Sequence, residues 1–231
     1  MIKIVRLFAA FLALISFLQV DAVEKPDWAQ LGHFQYQNAT LKTSPLAVFI
    51  GDSVTDCWSD SVPEFFSENN YAGRGISGQV SSQMLVRFRQ DVIELNPKVV
   101  VILCGINDIA ENDGRMSNKG IVDNIKSMCE LAEMHNITPI LCSILPCDHF
   151  HWLRNMNIYP AGRVLQVNKL IETYAHEKGY EYVDYHTFMT TNKGGMKPEY
   201  TFDCGHPNKK GFAVMMPIIK KAINKVLSSK K

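Results

Sequence analysis

Leu46-Ala47-Val48-Phe49-Ile50-Gly51-Asp52-Ser53-Val54-Thr55 is the stretch that decides the fold. Its first five residues are apolar without alternation, as in a short strand buried on both faces. The chain then turns through Gly51 and Asp52 and delivers Ser53 at the carboxyl end of that strand. Open α/β sheets bind their ligands beyond that end. A hydroxyl there becomes a nucleophile when a base removes its proton, and the base works best with a carboxylate to fix its tautomer. Asp203-Cys204-Gly205-His206-Pro207 supplies both, three residues apart.

Working outward, short apolar runs alternate with segments of helical period. Strands are expected at 46–50, 70–73, 98–104, 138–145 and 180–185. Helices are expected at 80–95, with Met84, Leu85, Phe88, Val92 and Leu95 on one face, at 161–178 with a stop at Gly179, and at about 208–228. That order predicts an α/β fold, a parallel sheet covered by helices on both faces. Residues 23–45, with Trp28, Phe34 and Tyr36, are expected to form a helical wrap against the domain. In the expected topology Ser53, Gly75, Asn107 and the Asp203–His206 pair converge on one rim of the sheet.

The chain has 231 residues. Residues 1–22 read as a secretory signal peptide: Lys3 and Arg6, an uncharged apolar stretch from Leu7 to Val20, then Val20-Asp21-Ala22 with cleavage after Ala22. A secreted or periplasmic location without a stable membrane anchor is the expectation, since the apolar stretch is short for a span of ~20 residues. Residues 23–231 then form a single domain, and setting aside Lys3, Arg6 and Asp21 leaves 22 basic against 22 acidic side chains. That balance gives no electrostatic footprint for nucleic acid. Six cysteines follow no disulfide or zinc spacing. Cys104 and Cys142 read as buried hydrophobes. Cys57, Cys147 and Cys204 fall on loops or near the active segments, where one pair is able to bridge. Asp148, His149 and His151 find no further ligand at suitable spacing, so no metal and no cofactor is expected. Oligomeric state is not legible.

Four blocks therefore carry the chemistry: Gly51-Asp52-Ser53-Val54, Arg74-Gly75-Ile76-Ser77-Gly78, Gly105-Ile106-Asn107-Asp108 and Asp203-x-x-His206. In this order and at these intervals they resemble the SGNH or GDSL hydrolase family over about residues 45–215. The resemblance implies a three-layer α/β/α sandwich with a flavodoxin-like, mainly parallel five-stranded sheet, and a serine esterase or acylhydrolase activity. It makes Ser53 the nucleophile, His206 the base and then acid, and Asp203 the residue that orients the imidazole. The oxyanion hole would be the backbone N–H groups of Ser53 and Gly75 with the Asn107 side-chain amide. Two positions depart from the family pattern: Val54 stands where leucine is frequent, and Gly73 stands where asparagine is frequent. No Gly-x-Ser-x-Gly elbow is present, which argues against the α/β-hydrolase fold. Relatives of this type imply an ester of a carbohydrate or another small molecule as substrate, an O-acetyl sugar first. A lysophospholipid or thioester is the alternative, and a non-catalytic carbohydrate-binding protein a remoter one. Phe150, Trp152 and Tyr159 lie in a segment, 147–160, expected above the site; they either wall the substrate or bury themselves beneath the loop.

Overall fold

The first apolar run forms a strand because its residues have a covered face on either side. The computed structural model describes residues 27–150, 159–203 and 205–229. The signal peptide expected at 1–22, together with Trp152 and Cys204, lies outside them. The elements in chain order are α1 (Gln35–Thr40), β1 (Ala47–Gly51), α2 (Ser53–Ser61), α3 (Pro63–Ser67), β2 (Tyr71–Gly75), α4 (Ser81–Asp91) and β3 (Val99–Leu103). There follow α5 (Ile106–Ile109), α6 (Asn118–Met134), β4 (Thr138–Cys142), α7 (Pro160–Lys178), β5 (Glu181–Val183), α8 (Tyr185–Met189) and α9 (Lys209–Ser228).

The five strands form one all-parallel sheet in the order β2-β1-β3-β4-β5. Because side chains alternate along a strand, Val48, Ile50, Val100, Ile102 and Leu141 face one way and meet Met84 and Phe88 of α4, Ile121 and Ile125 of α6, and Val167 and Ile171 of α7. Phe49, Val101, Leu103, Ile140 and Cys142 face the other way and meet Trp58 of α2, Phe65 and Phe66 of α3, and Phe212, Met215 and Ile219 of α9. The result is the three-layer α/β/α sandwich with a five-stranded parallel sheet.

The helix ends follow local chemistry. Ser117 caps α6 by accepting from Gly120 N at 3.0 Å, Pro160 starts α7, and Gly179 ends it in the left-handed region at φ 70°. The segment expected as one helix at 80–95 stops at Asp91 and continues as a 3-10 turn, Ile93–Leu95, with Asn96 left-handed at φ 51°. Among its described residues the wrap before β1 contains the short α1; Tyr36 is 77% exposed, while Trp28 donates to Asp113 at 3.2 Å and the Phe34 ring lies under the Arg74 guanidinium at 4.9 Å. Polar side chains on α4 and the preceding loop hold it as well. Gln79, Gln83 and Gln90 donate to the carbonyls of Ala29, Trp28 and Leu31. Asn38 bridges Arg74 and Asp91.

Candidate active site

Ser53 opens α2 directly after β1, with Asp52 as its N-cap; one Asp52 oxygen accepts from Val54 N at 3.0 Å. The other oxygen is buried without a hydrogen-bond partner among the described residues. Burial, opposed by that hydrogen bond, raises the Asp52 pKa to about 6.

The second half of the site is a self-braced loop before α9. A bridge pairs Thr201 with Pro207, and the Thr201 hydroxyl donates to His206 O at 2.7 Å. Asp203 Oδ1 accepts from Gly205 N at 3.0 Å and His206 N at 2.7 Å, which leaves Oδ2 for His206 Nδ1 at 2.6 Å. Burial works against the Asp203 charge, yet these donations from His206 and Gly205 outweigh it and its pKa lies below the ordinary value. A carboxylate only accepts, so Nδ1 carries the proton and Nε2 presents a lone pair. Nε2 lies 2.8 Å from Ser53 Oγ, a hydrogen bond across 153 residues. The three residues singled out from sequence are thus brought together in the order hydroxyl, imidazole, carboxylate.

They line a cavity of about 430 Å³ together with Val54, Ser77, Asn107, Asn112 and Phe202. Asn107, in the short α5 after β3, reaches that wall while its neighbour Asp108 is structural: Asp108 accepts from Ser81 N at 2.9 Å and from Ser81 Oγ at 2.6 Å. Gly75 does not line the cavity. At the end of β2 its Cα abuts the start of α2, where a Cβ would overlap the backbone of Asp56, Thr55 and Asp52. Its small size therefore serves strand–helix packing. Gly73 is explained in the same way, since a side chain there would displace Ser59. The chain turns outward after Gly75, so that Ile76 is buried while Ser77 and Gly78 are exposed. Gly78 lines the cavity at φ 81°, with open space where a side chain would be. Its N–H makes no hydrogen bond among the described residues. Of the two glycines in this block, it is Gly78 and not the expected Gly75 that lines the cavity.

The 147–160 expectation also changes. Phe150 is 6% exposed and packs into the core beneath α7. Tyr159 is 80% exposed and is not a cavity residue. Among the described residues, the aromatic ring at the site is Phe202, 65% exposed, stacked on the His206 imidazole at 5.9 Å between centroids and 12° between planes. No sequence block pointed to Phe202, although its place beside Asp203 was a usable signal. Cys57, one turn after Ser53 on α2, also lines the cavity; burial and then Asp56 raise its pKa, so it stays a protonated thiol. Cys104 and Cys142 are buried thiols, as apolar strand residues should be.

Residues 49–214 match the GDSL-like lipase/acylhydrolase family. The chain belongs to that family. A GDSL-like lipase from Bacteroides thetaiotaomicron has a similar structure, at 40% identity and a TM-score of 0.83, covering 87% of this chain and 100% of its own. A Bacteroides fragilis structure is 42% identical with a TM-score of 0.83, covering 87% of this chain and 99% of its own. An acetylxylan esterase from Geobacillus stearothermophilus, 18% identical, shares the fold at a TM-score of 0.62, over 78% of this chain and 94% of its own. The uncharacterized lipoprotein YqeF of Bacillus subtilis is 35% identical over 75 residues, 31% of this chain and 31% of its own length. The GDSL chain described here is accordingly an acylhydrolase-type enzyme.

Proposed function

We propose that this GDSL hydrolase cleaves carboxylic esters through an acyl-serine intermediate, and that its substrate is an O-acetylated carbohydrate. The observation that carries the mechanism is the unbroken line Ser53 Oγ–His206 Nε2–Asp203, at 2.8 and 2.6 Å. His206 Nε2 takes the serine proton as Oγ attacks the ester carbonyl; the imidazolium, held by Asp203, returns the proton to the departing alcohol. Water then repeats the sequence on the acyl-serine and frees the acid. The developing oxyanion is met by the N–H of Ser53 at the start of α2, the N–H of Gly78 and the amide of Asn107. Fixed donors of this kind contribute ~10²–10³ in turnover each.

The substrate reading rests on the walls. Ser77 offers a hydroxyl for a sugar hydroxyl, and the exposed Phe202 ring offers a flat apolar face beside the reacting bond. The leader-like residues 1–22 suit an enzyme that meets such polymers outside the cytoplasm. Ser53→Ala should abolish hydrolysis of p-nitrophenyl acetate while leaving the unfolding transition in place; turnover retained by the purified variant refutes the mechanism. Across p-nitrophenyl esters, kcat/KM should fall from acetyl to octanoyl. A rise along that series favours a lipid or thioester substrate instead.

A further inference from the structure

We propose that Asn112 is a positioning residue of the oxyanion hole: it braces, from the Oδ1 side, the side-chain amide of Asn107 in the orientation that Gln79 O sets. The proposal rests on the reading of Asn107 as an oxyanion donor. A side-chain amide fits its surroundings either way round, so partners of fixed polarity must decide between N and O. Two backbone carbonyls, which only accept, decide it here. Asn107 Nδ2 donates to Gln79 O at 3.0 Å, which puts Oδ1 at the other position. That Oδ1 accepts from Asn112 Nδ2 at 3.0 Å, and the same Nδ2 reaches Gly78 O at 3.3 Å. Turning either amide sets oxygen against oxygen. With one N–H of Asn107 Nδ2 engaged by Gln79, the second remains for the cavity that Asn107 lines.

The placement of Asn112 suits this role. Its own N–H donates to Asn107 O at 3.1 Å, and Glu111 before it takes a left-handed φ of 59° to bring the chain back. Asn112 thereby ties Gly78 to Asn107, the two donors that come from different loops. Remove its side chain and Asn107 Oδ1 loses its donor; Gln79 O alone then holds the amide, which is left free to swing its second N–H away from the cavity. Asn112 is exposed and belongs to no packed core, so its loss leaves the fold intact.

The test is a double-mutant cycle on p-nitrophenyl acetate hydrolysis, with kcat and KM read separately. Asn107→Ala should lower kcat by ~10²-fold or more. Asn112→Ala should lower kcat by about tenfold with KM within about twofold, yet by less than about twofold in the Asn107→Ala background, because neighbours acting as a unit are non-additive. Asn112→Asp, which only accepts beside Gly78 O and Asn107 Oδ1, should lose more than Asn112→Ala. Equal losses from Asn112→Ala in both backgrounds, or an undiminished kcat, overturn the proposal. Full turnover in Asn107→Ala alone removes the oxyanion assignment itself, and this proposal with it; the two failures are read from different variants.

Discussion

The two faces of the sheet are filled with different material. Beneath α4, α6 and α7 the packing is largely aliphatic, built from residues such as Ile121, Ile125, Val164, Val167 and Ile171. Beneath α2, α3 and α9 it is aromatic: Trp58 is stacked on Phe65 and on Phe212, each at 5.4 Å, with Phe49 and Phe66 edge-on. Ser53 opens α2 and His206 stands just before α9. Nucleophile and base therefore ride on the two helices that share the Trp58–Phe212 stack. Rings have few torsions and well-defined contact geometry, so this face locates two helix starts against each other. The aliphatic face chiefly supplies burial, and through α4 it also supports the Asn107 side of the site by way of Ser81 and Asp108.

Trp58→Ala strikes the comparison hardest. Removing a fully buried ring should destabilise the protein by about 3–5 kcal/mol. It should also lower kcat per folded molecule, measured by urea unfolding and by turnover normalised to the folded fraction. Ile171→Ala on the opposite face should lower stability by about 2–4 kcal/mol with kcat per folded molecule unchanged; an equal fall in kcat from both variants erases the distinction between the faces.

Asp52 sharpens it from below. Its folded pKa of about 6 exceeds the ordinary 3.8 because of burial. Between those pH values the native state holds a proton that the unfolded chain has released, so this group makes stability fall as pH rises towards 6. Above pH 6 the loss is complete. Asn at this position keeps the acceptor for Val54 N and carries no charge, so Asp52→Asn should remove that slope. The gain at pH 7–8 should be up to about 3 kcal/mol relative to pH 4. Denaturation midpoints of both proteins from pH 4 to 8 measure it, and parallel curves contradict it. The smallest effect is Phe202→Ala: being exposed, it should shift stability by less than ~0.5 kcal/mol. KM for an O-acetylated carbohydrate, the substrate proposed above, should nevertheless rise severalfold, against little change for p-nitrophenyl acetate.

Much of this was legible in the sequence, for reasons that differ by residue. β3 and β4 announced themselves because strands covered on both faces need unbroken apolar runs. Ser53, Asn107, Asp203 and His206 stand out because each belongs to a short block whose chemistry is incomplete without the others. The helix α6, Asn118–Met134, was not assigned from sequence although Ile121, Val122, Ile125, Met128, Cys129 and Ala132 keep its period; Gly120 and the polar run before it obscure the start. The choice between Gly75 and Gly78 was hidden for a geometrical reason. Both glycines sit in one block, and only the path of the chain after β2 shows that one meets a helix and the other a cavity. Phe202 and Asn112 belong to no block at all, since their roles arise from neighbours that the fold supplies.

The loop 201–207 has a consequence for the order of assembly. Asp203 aligns His206 through contacts spanning three residues, whereas the hydroxyl arrives from 153 residues away. The carboxylate–imidazole pair is therefore a local contact that costs little loop closure, whereas the nucleophile joins it by closing a loop of 153 residues. Reappearance of esterase activity during refolding should consequently lag the recovery of helical signal, making the reaction its own clock for the docking of the last helix.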